Sequence, residues 1–173
     1  MTSNPLGRLA APRLYAILDL AADAALNAHV QRLEPDGAAC LFEGRLDPRV
    51  KAVSPHVVEL APADPLSKLW RGQGWGRSWG VLVSSTASLP AVRRRLRHFT
   101  LARLPDGTGP VLFRFWDPRV FRVYLPLVEP HELGGWFTDI DRWIVETEDG
   151  AGSLRYGLDR GRLVVETLPP PSA

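Results

Sequence analysis

Cysteine is nearly absent from this chain: Cys40 stands alone among 173 residues. No internal disulfide can form, and no cysteine-based zinc site can be assembled. Lysine is scarce as well, since of the 21 basic residues only Lys51 and Lys68 are not arginine. That bias is read as compositional rather than as a set of phosphate-binding forks. A net charge of only +2, with no nucleic-acid-binding motif, argues against nucleic acid as a partner. No window approaches the roughly 18 uninterrupted apolar residues of a spanning helix, and Met1 to Ala11 contains no long apolar run of the signal-peptide kind. A cytoplasmic protein without membrane contact is expected. The glycines at 72, 74, 76 and 80 fit no dinucleotide fingerprint in any register, and no Gly-Lys-Ser/Thr is present for a phosphate loop. The four histidines are scattered without a metal-ligand spacing. Neither a cofactor nor a metal is expected.

Apolar residues make up 45% of the chain, enough for a sizeable core. Residues 1–12 read as a flexible N-terminus, 13–168 as one domain, and Pro169 to Ala173 as a disordered proline-rich tail. Leu14 to Leu20 has the continuous apolar character of a buried strand. Asp23 then caps a helix with Leu26, Val30 and Leu33 on one face. Short strands are expected at Ala38–Phe42 and Val57–Leu60, with a short helix at Pro65–Trp70. The tract Arg71 to Ser78 reads as a loop because of its glycines. A core strand covers Trp79–Ser84. Ser88 opens a helix whose stripe is Leu89, Val92, Leu96 and Phe99. Leu101–Leu104 and Val111–Phe115 flank a turn-rich connection and predict an antiparallel hairpin. Asp117-Pro118 is a helix start, and a helical turn is expected from His131 to Trp136. Strands follow at Trp143–Val145, Leu154–Tyr156 and Leu163–Thr167. The expected fold is α/β: a mixed β-sheet with flanking helices and an antiparallel C-terminal end.

Gly76-Arg77-Ser78-Trp79-Gly80 matches the G-x-S-x-G pattern of serine hydrolases. The surroundings argue against it, because a glycine loop precedes Ser78 and a strand follows, the reverse of a strand-to-helix elbow. A hydrolase using Ser78 is the alternative to a non-enzymatic role. Glu146 and Glu148 share a strand face but sit beside a turn, where acids are usually solvated. Charge is unevenly spread: Pro65 to Pro105 carries basic residues and no acid, whereas Glu129 to Asp149 is acidic apart from Arg142. Arg93, Arg94 and Arg97 could present a basic helix face to a partner, or be neutralised within the fold. In Phe113-Arg114-Phe115-Trp116-Asp117-Pro118-Arg119 the alternation separates Arg114 from the aromatics. Either Arg114 or Arg119 could pair with Asp117 in bidentate fashion, as a structural clamp or a binding element.

That run completes a series that begins with Leu14-Tyr15-Ala16-Ile17-Leu18-Asp19. It continues through Ser84-Ser85, Ser88-Leu89, His98-Phe99, Pro105-Asp106-Gly107, Leu125-Pro126 and Trp143. In this order the motifs resemble the adaptor/chaperone family of bacterial type VI secretion, over roughly Leu14 to Gly150. Trp116 departs from the tyrosine most often found at its position. The resemblance implies a cytoplasmic interaction protein, not an enzyme, that binds a toxic effector and helps load it onto the valine-glycine-repeat spike protein. Candidate partner contacts are Arg93, Arg94 and Arg97 on the helix, and Arg114, Trp116, Asp117 and Arg119 at the junction.

Overall fold

A run as apolar as Tyr15 to Leu18 belongs in a strand covered on both faces. In the computed structural model, which describes residues 11–104 and 107–171, that strand is β1 (Arg13–Asp19). All four of these residues are fully buried. Tyr15 and Ile17 point into one hydrophobic cluster, Ala16 and Leu18 into a second on the opposite face. β1 lies between β3 (Pro55–Leu60) and β4 (Gly80–Ser85), antiparallel to both. β2 (Ala38–Cys40) extends the sheet beyond β3; β7 (Arg142–Glu146), β8 (Ser153–Asp159) and β9 (Arg162–Leu168) extend it beyond β4. The seven strands run in the order β2-β3-β1-β4-β7-β8-β9. The α/β architecture is as expected, and the antiparallel pairing foreseen for the C-terminal end continues through every neighbouring pair.

Helices cover both faces. α1 (Ala24–Leu33) and α3 (Pro65–Leu69) supply Leu26, Val30 and Leu66 to the second cluster. α4 (Leu89–Arg97), α5 (Pro118–Tyr124) and α6 (Pro130–Trp136) supply Leu96, Phe121 and Trp136 to the first. An Asp-Pro pair opens three of the helices, with Asp47, Asp64 and Asp117 each accepting a first-turn N–H. α2 (Pro48–Lys51) uses the first of these, a start that went unread in the sequence because only one turn follows it.

Two segments differ from the sequence reading. The glycine tract is not loop from its beginning: the chain continues out of α3 through a wide π-type turn, Trp70–Gly74, closed by Trp75 N–H on Trp70 O at 2.8 Å. The buried rings of Trp70 and Trp79 hold it. The strand expected to reach Phe115 ends early. β5 (Leu101–Arg103) and β6 (Pro110–Leu112) form a separate two-stranded ribbon. After Leu112 the chain turns to bury Phe115 among Phe99, Trp136 and Trp143. Residues 1–10 of the expected flexible N-terminus, Pro105 and Asp106 of the hairpin connection, and Ser172 and Ala173 of the expected tail lie outside the described residues.

Candidate functional site

Arg114, Trp116, Asp117 and Arg119 come together where the chain passes from the ribbon into α5, and Asp19 at the end of β1 joins them. Asp117 caps α5 through Arg119 N–H at 3.0 Å. Its carboxylate also receives both Nε and Nη2 of Arg119, at 3.0 and 2.7 Å, so Arg119 forms the bidentate pair. Arg114 turns instead to Asp19, with Nη2 2.6 Å from Oδ2 and 3.8 Å from Asp117. The buried Trp116 indole points its N–H toward the same Asp19 oxygen at 3.4 Å, and Ala21 N–H donates to the other at 3.0 Å. Both carboxylates are buried, yet the guanidiniums of Arg114 and Arg119 are at least half exposed. Together with the exposed Arg77 they rim a cleft of about 590 Å³ floored by Asp19, Ala21, Gly76 and Ser78. Three cations around two buried anions make this cleft suited to a carboxylate-bearing ligand.

Burial pushes the Asp117 carboxyl upward, but the hydrogen bonds from Arg119 and the charges of Arg119 and Arg114 outweigh it and hold it below the ordinary carboxylate value. A carboxyl whose folded pKa is depressed stabilises the fold above its unfolded value, near 4. That contribution is lost as pH falls through the folded value. Asp117→Asn, which keeps the capping oxygen, is therefore expected to destabilise the protein at neutral pH. The deficit should shrink as pH falls through the lowered folded value. Urea unfolding at a series of pH values measures it, and a deficit independent of pH would refute the assignment.

The arginines of α4 are placed differently. Arg93 Nε donates to Cys40 O at 2.6 Å, and Arg97 pairs with Glu43, so the two fasten the end of β2 and the segment that follows it. Arg95 donates to Gly135 O on α6. Arg94 is exposed, and its side chain has no hydrogen bond or ion pair among the described residues. The candidate basic face thus reduces to Arg94 with the outer parts of Arg93 and Arg97. Among the described residues no ion pair joins the basic and acidic segments; they meet through hydrogen bonds and ring packing.

One such meeting explains the serine motif. Glu146, 3% exposed, accepts Gly76 N–H at 2.7 Å and Ser78 N–H at 2.9 Å, and the Ser78 hydroxyl lies 3.3 Å from it. Gly76, at φ +82°, takes the left-handed backbone that this tight turn requires. Gly80 packs against the β1 backbone. The sequence reading expected Glu146 to be solvated; instead it anchors the glycine turn. Asp19 was also missed as a site residue, although an acid ending a wholly apolar strand was a visible signal.

A second surface went unnoticed. Leu101 and Leu112 are cross-strand partners on the β5–β6 ribbon and are 58% and 52% exposed. Val111 beside them and Val123, Tyr124 and Leu127 on and after α5 are exposed too. Phe113 links the two elements, its ring 4.5 Å from that of Tyr124. The ribbon, the Asp19 cleft and α4 all fall between residues 14 and 134, and this span matches the model of a family described as a domain of unknown function, DUF4123. The chain belongs to the DUF4123 family. No curated protein and no solved structure gives a match. The matched span of this DUF4123 chain ends inside α6, so β7, β8 and β9 complete the sheet outside it. Among the described residues no helix is long and apolar enough to cross a membrane.

Proposed function

We propose that this DUF4123 protein is a cytoplasmic adaptor, without catalytic activity, that binds a type VI secretion effector and helps load it onto the valine-glycine-repeat spike protein. The observation that carries the reading is the exposed apolar surface of the ribbon and α5, with Leu127 76% exposed and Leu101 and Leu112 above half. Clustered exposed apolar side chains mark protein-binding surfaces. Family membership and the order of the motifs support the secretion role. In this reading the effector lays an apolar segment across Leu101, Leu112 and Tyr124, with acidic groups reaching Arg94 or the Arg114–Arg119 rim. Trp116 and Asp117, being buried, hold that rim rather than touch the effector. Neither nucleic acid nor membrane takes part.

A tagged chain isolated from its native cytoplasm should bring down a toxin-like protein together with the spike protein, identified by mass spectrometry. Leu101→Asp/Leu112→Asp should reduce effector recovery about thirtyfold, the equivalent of a 2 kcal/mol hot spot, while leaving the thermal midpoint unchanged. Arg94→Glu tests the helix more cleanly than Arg93→Glu/Arg97→Glu, which would also free the segment after β2. Recovery of neither protein would sink the proposal. So would fluorophosphonate labelling that disappears in Ser78→Ala.

A further inference from the structure

On the face of the sheet covered by the second hydrophobic cluster, Leu14, Leu60 and Leu82 from three adjacent strands form the floor of a small apolar pocket. Trp70, Trp75 and Pro171 form its walls. Its volume of about 120 Å³ is in the class of cavities that hold a single small ring. The indole N–H groups of Trp70 and Trp75, and Nε–H of Arg71 on the same rim, are buried with no acceptor among the described residues. Buried donors of this kind are rare in proteins. The segment after β9 already reaches this place: the Ser153 hydroxyl donates to Pro169 O at 2.9 Å as the chain leaves the sheet, and Pro171 lies against the pocket.

We propose that this pocket receives a proline-containing extended segment of a partner protein, and that the chain's own Pro169–Pro171 guards it in the free state. Prolines in extended conformation present apolar rings together with carbonyls that make no internal hydrogen bond. Aromatic-lined grooves recognise such segments. Pro171 already places a prolyl ring in the same pocket wall as the two indoles. Because the segment is tethered, it competes at an effective concentration in the millimolar range. The inference does not depend on the adaptor role, since it concerns the opposite face of the sheet from the ribbon and is read by a different probe.

The test uses the full-length protein carrying ¹⁵N-labelled tryptophan and a blocked Pro-Pro-Pro-Ser-Ala peptide. In Pro171→Ala, and in a second variant ending at Pro169, the peptide should shift the Trp70 and Trp75 indole resonances saturably. The native chain should bind at least about tenfold more weakly, because its own segment competes. A peptide with alanine in place of the three prolines should leave both resonances unmoved. Trp75→Phe, which keeps an aromatic ring and removes the donor, assigns the signals and should weaken peptide binding. Absence of a saturable shift in both variants would overturn the proposal, as would an equal response to the alanine peptide or equal affinity in the native chain.

Discussion

Gly80→Ala is expected to cost about 3 kcal/mol or more, a large part of the 5–15 kcal/mol that usually holds a domain together. A Cβ at position 80 would fall inside the van der Waals radius of Ile17 O, 2.9 Å from the Ile17 carbonyl carbon and 3.1 Å from Leu18 Cα. Those atoms are backbone in the central strand, buried on both faces, and cannot swing aside as a side chain would. Relief would require β1 and β4 to separate, which would break the ladder from Gly80 to Ser85. Gly72→Ala is the matched control, since a Cβ there meets nothing within 4 Å. Urea midpoints should fall sharply for the first variant and stay near native for the second. A native-like midpoint for Gly80→Ala would mean that the two strands are not packed at this distance.

Asp19→Ala is expected to destabilise the protein by about 2–3 kcal/mol. The loss of Arg114 as a partner contributes the smaller share, because that guanidinium is half exposed and water can replace the carboxylate. The larger share comes from the Trp116 indole N–H and the Ala21 N–H, which lose their acceptor. Arg114→Met alone should therefore cost less than about 1 kcal/mol. In a double-mutant cycle the Asp19–Arg114 coupling should be well below the full Asp19→Ala effect. A coupling equal to the whole effect would make the ion pair, not the indole and backbone contacts, the basis of the junction.

Local chemistry accounts for what could be read in advance. Asp117-Pro118 announces a helix start because an aspartate cap and a proline at the first position act within one turn. The apolar continuity of Leu14–Leu18 announces a central strand because only such a strand buries both of its faces. What could not be read depends on contacts distant in sequence. Asp19 and Arg114 are 95 residues apart, and nothing near either one names the other. Glu146 and Glu148 look alike in the chain, yet only Glu146 meets the N–H groups of a glycine turn 70 residues earlier. Arg93 and Arg97 repeat as a surface face would, and their attachment to Cys40 and Glu43 appears only once β2 is placed beside α4. The exposed ribbon is hidden in the sequence for the opposite reason: its leucines have the pattern of a core strand, yet β5 and β6 stand apart from the main sheet and leave them in solvent.

The strand order bears on how the chain is made. β4 lies at the middle of the sheet, but one of its neighbours, β7, is encoded more than fifty residues later. During synthesis β1, β3 and β4 can pair while one side of β4, from Leu82 to Ser84, remains an open edge until Arg142–Ile144 emerge. At about 5–20 residues per second that edge stays open for several seconds, with Phe115 and Phe121 already translated and not yet covered by Trp143. Those seconds are the interval in which a nascent chain of this kind is most prone to pair with a neighbour emerging from the same message.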